Sequence, residues 1–359
     1  MTTPLRIGFV ALTDCAPLVV AHEAGFFRDQ GLSVELVRQP SWVHAERRLI
    51  EGTVDASHVL STFPLRSSLA LSEHPASLCT AWVLTRGGNA ITVSNAFWSR
   101  CQEGLAGKIR SGEVATPLRL GVVHRYAPHE YHLREWLRRD GLDPDKVVQW
   151  IVIPPAELVG RLRQGSLDAF CAGEPWNQRA TSSKLGAIAA LGSDLLPDYA
   201  EKVLAVRSDW HNLHQAEHSA LLLALREAGR FLSESENLPS VADWLASGPY
   251  VNSVRDILLS DLRGELDAGY RRRIGNPGFL RFSGEHSNVP RLQDAEAWVS
   301  AFVDWGHAPP SLLEADLSGI YLEDFHRGVI RLNSGASPAW NASPHVPSPL
   351  GSTAPLQFY

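Results

Sequence analysis

Apolar residues in this chain are concentrated in short runs. Residues 5–12, 33–38 and 54–60 form three such runs, and each is followed by a segment whose composition favours a helix. Short apolar runs of this length predict buried strands. Strands that alternate with helices lie parallel in one sheet, so the first 75 residues predict a βαβαβα unit with a parallel sheet.

A second α/β unit follows the first. The later predicted strands are 76–84 and 90–94 around a Gly-Gly turn, then 118–123, 147–153 and 167–172, with helices at 128–140 and 155–164. A strand at 202–207 precedes a pattern that predicts a mainly helical region from Gln215 to Leu332.

This order predicts an α/β protein with two lobes, because one α/β unit is interrupted by another and then resumed. We expect lobe 1 at 1–85 and 203–332 and lobe 2 at 86–202. The Ser-, Pro- and Ala-rich segment 333–359 predicts a disordered tail. Two lobes joined by two crossings predict a ligand cleft between them.

The most informative local pattern is the strand–turn–helix unit at 118–141. Pro128 is suited to the first helical position, because its missing N–H would have no helical partner there. His129 then lies in the first turn, beside free backbone N–H groups. A helix N-terminus that also offers an imidazole predicts a site for a small anion.

Composition and charge exclude several other functions. With 44% apolar and 20% charged residues the chain is an ordinary globular one, and its net charge of −6 argues against direct binding of nucleic acid. No window has the apolar length of a membrane span. If Met1 is the natural start, the absence of a leader pattern predicts a cytoplasmic protein.

The residues give no sign of catalysis or of a bound cofactor. The four cysteines lack CxxC spacing, and no nucleophile is paired with a base in the sequence. The sequence has no cluster of carboxylate residues that would predict a metal site. We therefore expect neither an enzyme nor a cofactor or metal site.

Four stretches together resemble the nitrate- and bicarbonate-binding branch of solute-binding proteins, the NrtA/CmpA-like family. They are GFVALTDCAPLVVAHEAGFF (8–27), PSWVHAERRLIEGTVDASHVL (40–60), DGLDPDKVVQWIVIPPAELVGRLRQGSLDAFCAGEPWN (140–177) and YAEKVLAVRSDW (199–210). The resemblance runs from about residue 5 to residue 330. It implies a periplasmic-binding-protein-like (type II) fold, with a ligand in the cleft.

The resemblance also implies which residues bind the ligand. Trp42, Asn89, His129 and Lys202 match the family's binding positions, although a Gln is more usual at position 89. Bicarbonate binders of the family tend to have Thr and an acidic residue at the last two positions, so this chain resembles the nitrate type. Gly88 and Glu174 are weaker candidates that would line the cleft.

The chemistry of these residues suits nitrate or nitrite, which need hydrogen-bond donors. Lys202 supplies a charge and several donors, Asn89 an amide NH₂, His129 a ring N–H and Trp42 an indole N–H or a flat wall. Bicarbonate carries a donor of its own and would also use an acceptor. Each residue has an ordinary alternative: a capping His129, an apolar anchor at Trp42, a turn at Asn89 and an exposed Lys202.

A cytoplasmic relative of this family is the NasS-type nitrate/nitrite sensor. That resemblance implies a sensor of nitrate assimilation that holds an RNA-binding antiterminator with an ANTAR domain (NasT type) until the ligand arrives. The alternative is the substrate-binding component of a nitrate ABC transporter whose leader is missing from the sequence. A pyrimidine-synthesising relative of the same fold would need a Cys-rich motif and a Schiff-base lysine, and neither is visible.

Overall fold

The computed structural model describes residues 3–101, 104–284 and 286–333. Its strands are β1 (Leu5–Val10), β2 (Val34–Gln39), β3 (Ala56–Leu60), β4 (Leu78–Gly87), β5 (Asn89–Ser94), β6 (Leu118–Val122), β7 (Val148–Val152), β8 (Ala169–Gly173), β9 (Gly186–Leu191), β10 (Ala200–Arg207), β11 (Glu265–Gly269), β12 (Arg272–Gly275) and β13 (Leu280–Arg281). The predicted tail at 333–359 lies, apart from its first residue, outside the described part of the chain.

Helices separate most of these strands. They are α1 (Ala16–Glu23), α2 (Phe26–Asp29), α3 (Trp42–Ile50), α4 (Thr62–Ser68), α5 (Asn95–Cys101), α6 (Leu105–Arg110), α7 (Pro128–Arg139), α8 (Pro144–Val147), α9 (Leu158–Arg163), α10 (Trp176–Ser182), α11 (Gly192–Leu195), α12 (Ser208–Leu213), α13 (Gln215–Ser233), α14 (Leu238–Ala246), α15 (Arg255–Arg263), α16 (Leu292–Asp304) and α17 (Glu323–Leu332). Short 3₁₀ turns lie at Thr13–Cys15, Pro155–Glu157 and Pro310–Glu314.

The first sheet has the strand order β13-β4-β10-β3-β1-β2. Strand β1 pairs parallel with both β2 and β3, as the alternation of strands and helices in the first 75 residues predicts. Strand β10 returns to this sheet and lies antiparallel between β3 and β4. The late strand therefore reaches the middle of the first sheet.

The second sheet has the order β7-β6-β8-β5-β9. Parallel pairing joins β6 to β7 and β8, and antiparallel pairing joins β5 to β8 and β9. The chain passes to this sheet between Gly87 and Asn89 and returns to the first sheet between Leu191 and Ala200. The return lies just before the predicted limit of lobe 2 at residue 202, and the lobe limits themselves stay a prediction.

The region after Gln215 is not as purely helical as its sequence pattern suggests. Strands β11 and β12 form an antiparallel hairpin there, and β13 adds to the edge of the first sheet. The hairpin escaped prediction because its turn has Tyr270 and Arg271, whereas the usual signal is Asn-Gly or Asp-Gly. The prediction of a helical region with loops was wrong at this place.

Helix α7 is fixed at the junction of the two sheets by aromatic packing. The ring of Tyr131 lies 5.8 Å from that of Trp298 and 5.9 Å from that of Phe302, both on α16. Tyr131 Oη also lies 2.7 Å from Nδ1 of His307. Full burial of one large apolar side chain contributes about 1.5–3 kcal/mol, so these contacts hold the helix and its first turn in one orientation.

Candidate functional site

The four residues singled out by resemblance converge in the interior. Trp42 is the first residue of α3, where Ser41 Oγ accepts a hydrogen bond from the His44 backbone N–H and caps the helix. Asn89 begins β5, and His129 lies in the first turn of α7. Lys202 lies in β10 of the first sheet. All four side chains are fully buried, so the exposed alternative for Lys202 is wrong, whereas burial is compatible with an apolar anchor at Trp42.

Lys202 is the charged centre of this region. Its Nζ lies 2.5 Å from Glu201 Oε1, 3.0 Å from Asp14 Oδ2 and 5.2 Å from the centre of the Trp42 ring. Burial opposes the charged form, but Asp14 and Glu201 together raise the pKa of Lys202. The lysine is therefore a buried cation stabilised by two carboxyl groups and an aromatic face.

Glu201 reaches the same place as Lys202 because β10 is irregular here. Neighbouring residues of a regular strand direct their side chains to opposite faces. The pairing of β10 with β4 shifts between Ala200 and Lys202 and again between Lys202 and Val203. An irregularity of this kind redirects side chains, and it allows both residues to contribute to one site.

The pKa values of the two carboxyl groups are shifted in opposite directions. Burial acts against ionisation of Asp14, yet Lys202 and His58 lower the pKa of this carboxyl. Burial raises the pKa of Glu201 despite the opposing influence of Lys202 and of the Asn89 amide. Asp14 is accordingly the ionised partner of the lysine, and Glu201 binds a proton more readily than an ordinary glutamate.

Three imidazoles surround this ion pair. His58 Nε2 lies 3.2 Å from Asp14 Oδ1, and His129 Nε2 lies 3.7 Å from Glu201 Oε1. Burial lowers the pKa of His58 and of His129, and it lowers the pKa of His132 to about 3. All three rings are neutral near pH 7, so each offers one N–H donor and one acceptor nitrogen.

We use the name buried cluster for Trp42, Asn89, His129 and Lys202 together with Asp14, His58, His132 and Glu201. Several of its polar atoms are buried without a hydrogen bond of normal geometry to any described residue: Trp42 Nε1, Asn89 Nδ2 and Oδ1, both ring nitrogens of His129 and of His132, and Glu201 Oε2. Unsatisfied buried polar atoms are rare and costly in folded proteins. Their concentration around one cation is typical of a site that receives a polar ligand.

The two weaker candidates have structural contacts nearby. Gly88 has a φ of 96°, and a Cβ at this position would lie 2.5 Å from Leu280 Cδ2, so only glycine fits the crossing to β5. Glu174 Oε2 accepts a hydrogen bond from the backbone N–H of Gln178, and its backbone carbonyl accepts one from Thr13. Neither residue contacts Lys202 directly among the contacts described.

The sequence match to known families is decisive for the class of this protein. Residues 1–246 match the family described as NMT1-like. The chain belongs to the NMT1-like family. Among curated relatives, this NMT1-like protein is 34% identical over 311 residues to the nitrate import ATP-binding protein NrtC of Synechocystis sp., an alignment that covers 84% of the chain and 46% of NrtC. The chain thus spans about half the length of that relative.

Two further relatives support the predicted resemblance. The NMT1-like protein is 30% identical over 324 residues to the nitrate/nitrite binding protein NrtA of Synechococcus elongatus, which covers 86% of the chain and 72% of NrtA. The crystal structure of the periplasmic nitrate-binding protein NrtA from Synechocystis PCC 6803 superposes with a TM-score of 0.87 at 24% identity, over 92% of this chain and 89% of that one. The NrtA/CmpA-like resemblance and the periplasmic-binding-protein-like fold are both confirmed.

The described residues were also compared with the predictions about membrane spans and metal sites. No described helix is both long and apolar enough to cross a membrane. Within residues 3–101, 104–284 and 286–333, no group of three His, Cys, Asp or Glu residues is arranged to hold a metal ion.

Four members of the buried cluster were not predicted as ligand residues. Asp14 lies in the short 3₁₀ turn after β1, and its position close to the end of a strand was the available signal. Glu201 was missed because a regular strand would direct it away from Lys202. His58 lies inside the apolar strand β3, where its side chain is fully buried. His132 lies one turn after His129 on α7, and this i, i+3 spacing was the available signal.

Proposed function

We propose that this NMT1-like protein binds nitrate or nitrite in the buried cluster. The observation that carries the proposal is the set of buried donors around the Lys202 cation that lack a hydrogen bond of normal geometry, namely Trp42 Nε1, Asn89 Nδ2 and a ring N–H of His129. Nitrate and nitrite accept hydrogen bonds through their oxygens and cannot donate any. A ligand of this kind satisfies the donors and adds a negative charge beside the lysine.

Lys202 and His129 lie on either side of the Glu201 carboxyl group. Glu201 Oε1 lies 2.5 Å from Lys202 Nζ and 3.7 Å from His129 Nε2, so the lysine and the imidazole border the same small volume. Trp42 limits this volume on the side of its ring, 5.2 Å from the ammonium. Burial of an anion without such partners would be very unfavourable, because its hydration is lost.

The names of two relatives support the same choice of ligand. NrtC is named for nitrate import, and NrtA for the binding of nitrate and nitrite. These activities belong to those proteins, and the chemistry of the buried cluster is our reason for extending the ligand to this chain.

Calorimetric titration with nitrate, nitrite and bicarbonate in the presence of a calcium chelator tests the ligand. We expect nitrate or nitrite to bind and Lys202→Met to lose the binding. Arg138→Met, which replaces an exposed cation on α7, is the matched control and should bind like the wild type. A response to bicarbonate alone would overturn the assignment.

We further propose that the bound anion regulates a protein partner, as in a cytoplasmic NasS-type sensor. Members of the buried cluster come from both sheets, so the ligand interacts with elements of each. A partner that prefers the ligand-free arrangement is released on binding and, by linkage, weakens the affinity for the anion. The proposed partner is an ANTAR-domain antiterminator of RNA, and the proposed effect is control of nitrate assimilation.

A transport role is the second candidate, because NrtC and NrtA are named for import and for binding of the same ions. Co-purification with an ANTAR-domain protein from the native cell, with and without nitrate, separates the two. The sensor requires a complex that nitrate dissociates, and a cytoplasmic location by cell fractionation. Absence of the complex under both conditions, with the protein outside the cytoplasm, would favour transport.

A further inference from the structure

A cavity rich in cations lies at the tip of the β11–β12 hairpin, away from the buried cluster. Its volume is about 570 Å³, and its lining includes Lys184, Arg271, Arg272 and Arg273. All four of these residues are exposed. We call these four residues the basic cradle. Such a concentration of positive charge is unusual in a chain whose net charge is −6.

The charges of the basic cradle are not neutralised within the protein. No described carboxylate forms an ion pair with any of the four cations, whereas the exposed arginines Arg138 and Arg139 both pair with Glu135. Asp267 is the acidic residue of the lining, and its Oδ1 accepts a hydrogen bond from the Gly269 backbone N–H at 3.0 Å. The surface therefore presents a local positive potential to the solvent.

The turn of the hairpin has an unfavourable backbone conformation at two residues whose side chains are exposed. Tyr270 and Arg271 have φ values of 52° and 60°, in the left-handed region that residues with a Cβ disfavour. Gly or Asn would fit this turn better. Tyr270 is 55% exposed, and tyrosine and arginine are the residue types enriched at protein interfaces.

The hairpin that carries three cations of the basic cradle contacts helices of the second sheet. Tyr270 Oη donates a hydrogen bond to Asn95 Oδ1 at 3.0 Å, and the Asp267 backbone N–H donates one to Gln178 Oε1 at 3.0 Å. The Arg272 guanidinium lies 4.6 Å from the centre of the Trp98 ring. Arg272, which this ring contact orients, therefore loses less conformational freedom than a fully solvated arginine when it binds a ligand.

We propose that the basic cradle is a docking site for a carboxylate-rich segment of a partner protein. The planar fork of an arginine pairs with a carboxylate through two parallel hydrogen bonds. The proposal does not depend on nitrate binding, because the basic cradle shares no residue with the buried cluster.

A nucleic acid fits the same surface less well. The Trp98 ring already stacks on Tyr270, at 5.8 Å between ring centres and 13° between planes, and it also faces the Arg272 guanidinium. The aromatic face that would stack on a base is thus already in contact with other side chains. The overall negative charge also repels a long polyanion.

Fluorescence anisotropy with a labelled decapeptide of alternating Asp and Glu tests the proposal on the full chain. The double variant Arg271→Glu with Arg273→Glu should weaken peptide binding by about tenfold or more at low ionic strength. The matched control, Arg28→Glu with Arg110→Glu, makes the same change in net charge at exposed arginines of α2 and α6 and should bind within about twofold of the wild type. Thermal unfolding checks that both variants are folded.

Two results would overturn the docking site. Equal loss of peptide binding in both double variants would mean that only the net charge matters. Binding of a decauridylate more tightly than the peptide, with loss in the hairpin variant, would assign the surface to nucleic acid instead.

Discussion

Glu201 provides the sharpest test of the proposed anion site, because it is a carboxyl group beside the cation that would hold the anion. The substitution Glu201→Gln removes its negative charge and keeps its size. The amide can still accept a hydrogen bond from Lys202, and it gains an NH₂ that can donate to the ligand. We therefore expect the variant to bind nitrate more tightly than the wild type near pH 8.

The size of the effect follows from the distances. Glu201 Oε1 lies 2.5 Å from Lys202 Nζ, so an anion on the ammonium would be close to an ionised Glu201. Two unit charges about 4 Å apart interact by about 4 kcal/mol at an effective dielectric constant of about 20. The loss of the ion pair between Glu201 and Lys202 offsets part of this gain. If only about 1.4 kcal/mol remains, the affinity still rises about tenfold.

The dependence on pH supplies a second signature. Because burial raises the pKa of Glu201, lowering the pH from about 8 to about 5 protonates this group more readily than an ordinary glutamate. Protonation of Glu201 removes its repulsion of the anion, so the affinity of the wild type for nitrate should increase as the pH falls. The affinity of Glu201→Gln should change less with pH. Burial lowers the pKa of His129 well below its ordinary value, so this ring titrates less readily than an ordinary histidine over this range.

Calorimetric titrations with nitrate at several pH values make the measurement. The matched control is Glu174→Gln, which changes a buried carboxyl whose pKa is raised to about 7 but which does not contact Lys202. Its nitrate affinity should follow the wild type. If Glu201→Gln binds nitrate no more tightly than the wild type at pH 8 and keeps the same pH dependence, then Glu201 does not repel the anion.

Three further predictions concern ligand binding and stability. Lys202→Met should lose nitrate binding and, in denaturant unfolding, about 3–5 kcal/mol of stability, because its two buried carboxyl partners lose their counter-ion; an unchanged midpoint would contradict this. Trp42→Phe keeps a ring but removes the indole N–H, so the binding free energy of nitrate should weaken by about 1 kcal/mol in calorimetry. An unchanged binding free energy would mean that the indole does not donate to the ligand. Burial raises the pKa of Asp261 and of Glu174, so the folded state holds protons that the unfolded state releases. Stability should therefore fall as the pH rises through about 7, and Asp261→Asn should reduce this slope in thermal unfolding.

Much of the fold follows from local pattern. The three apolar runs of the first 75 residues become β1, β2 and β3, and their parallel pairing follows from the helices between them. His129 could be assigned to a helix N-terminus because Pro128 marks the first turn. The convergence of Trp42, Asn89, His129 and Lys202 came from family resemblance, since no spacing rule brings four distant positions together.

The parts that were missed depend on departures from regular geometry. The irregular pairing of β10 directs Glu201 toward Lys202, against the alternation that a sequence predicts. The hairpin turn uses Tyr270 and Arg271 in a conformation that sequence rules assign to Gly and Asn. Both departures occur at residues with a proposed function, where local preference is most often overridden.

If the cluster binds a small anion as proposed, the protonation of Glu201 should also determine which anion it prefers. When Glu201 is ionised, its unpartnered Oε2 is an acceptor, and it favours an anion that carries a hydrogen, such as bicarbonate. When it is protonated it becomes a donor, and an anion that only accepts, such as nitrate, is favoured. Selectivity between the two anions should therefore shift toward nitrate as the pH falls, and Glu201→Gln should fix the site in its nitrate-selective form. A single carboxyl group beside the Lys202 cation would account for selectivity without any change in the other residues that border the anion.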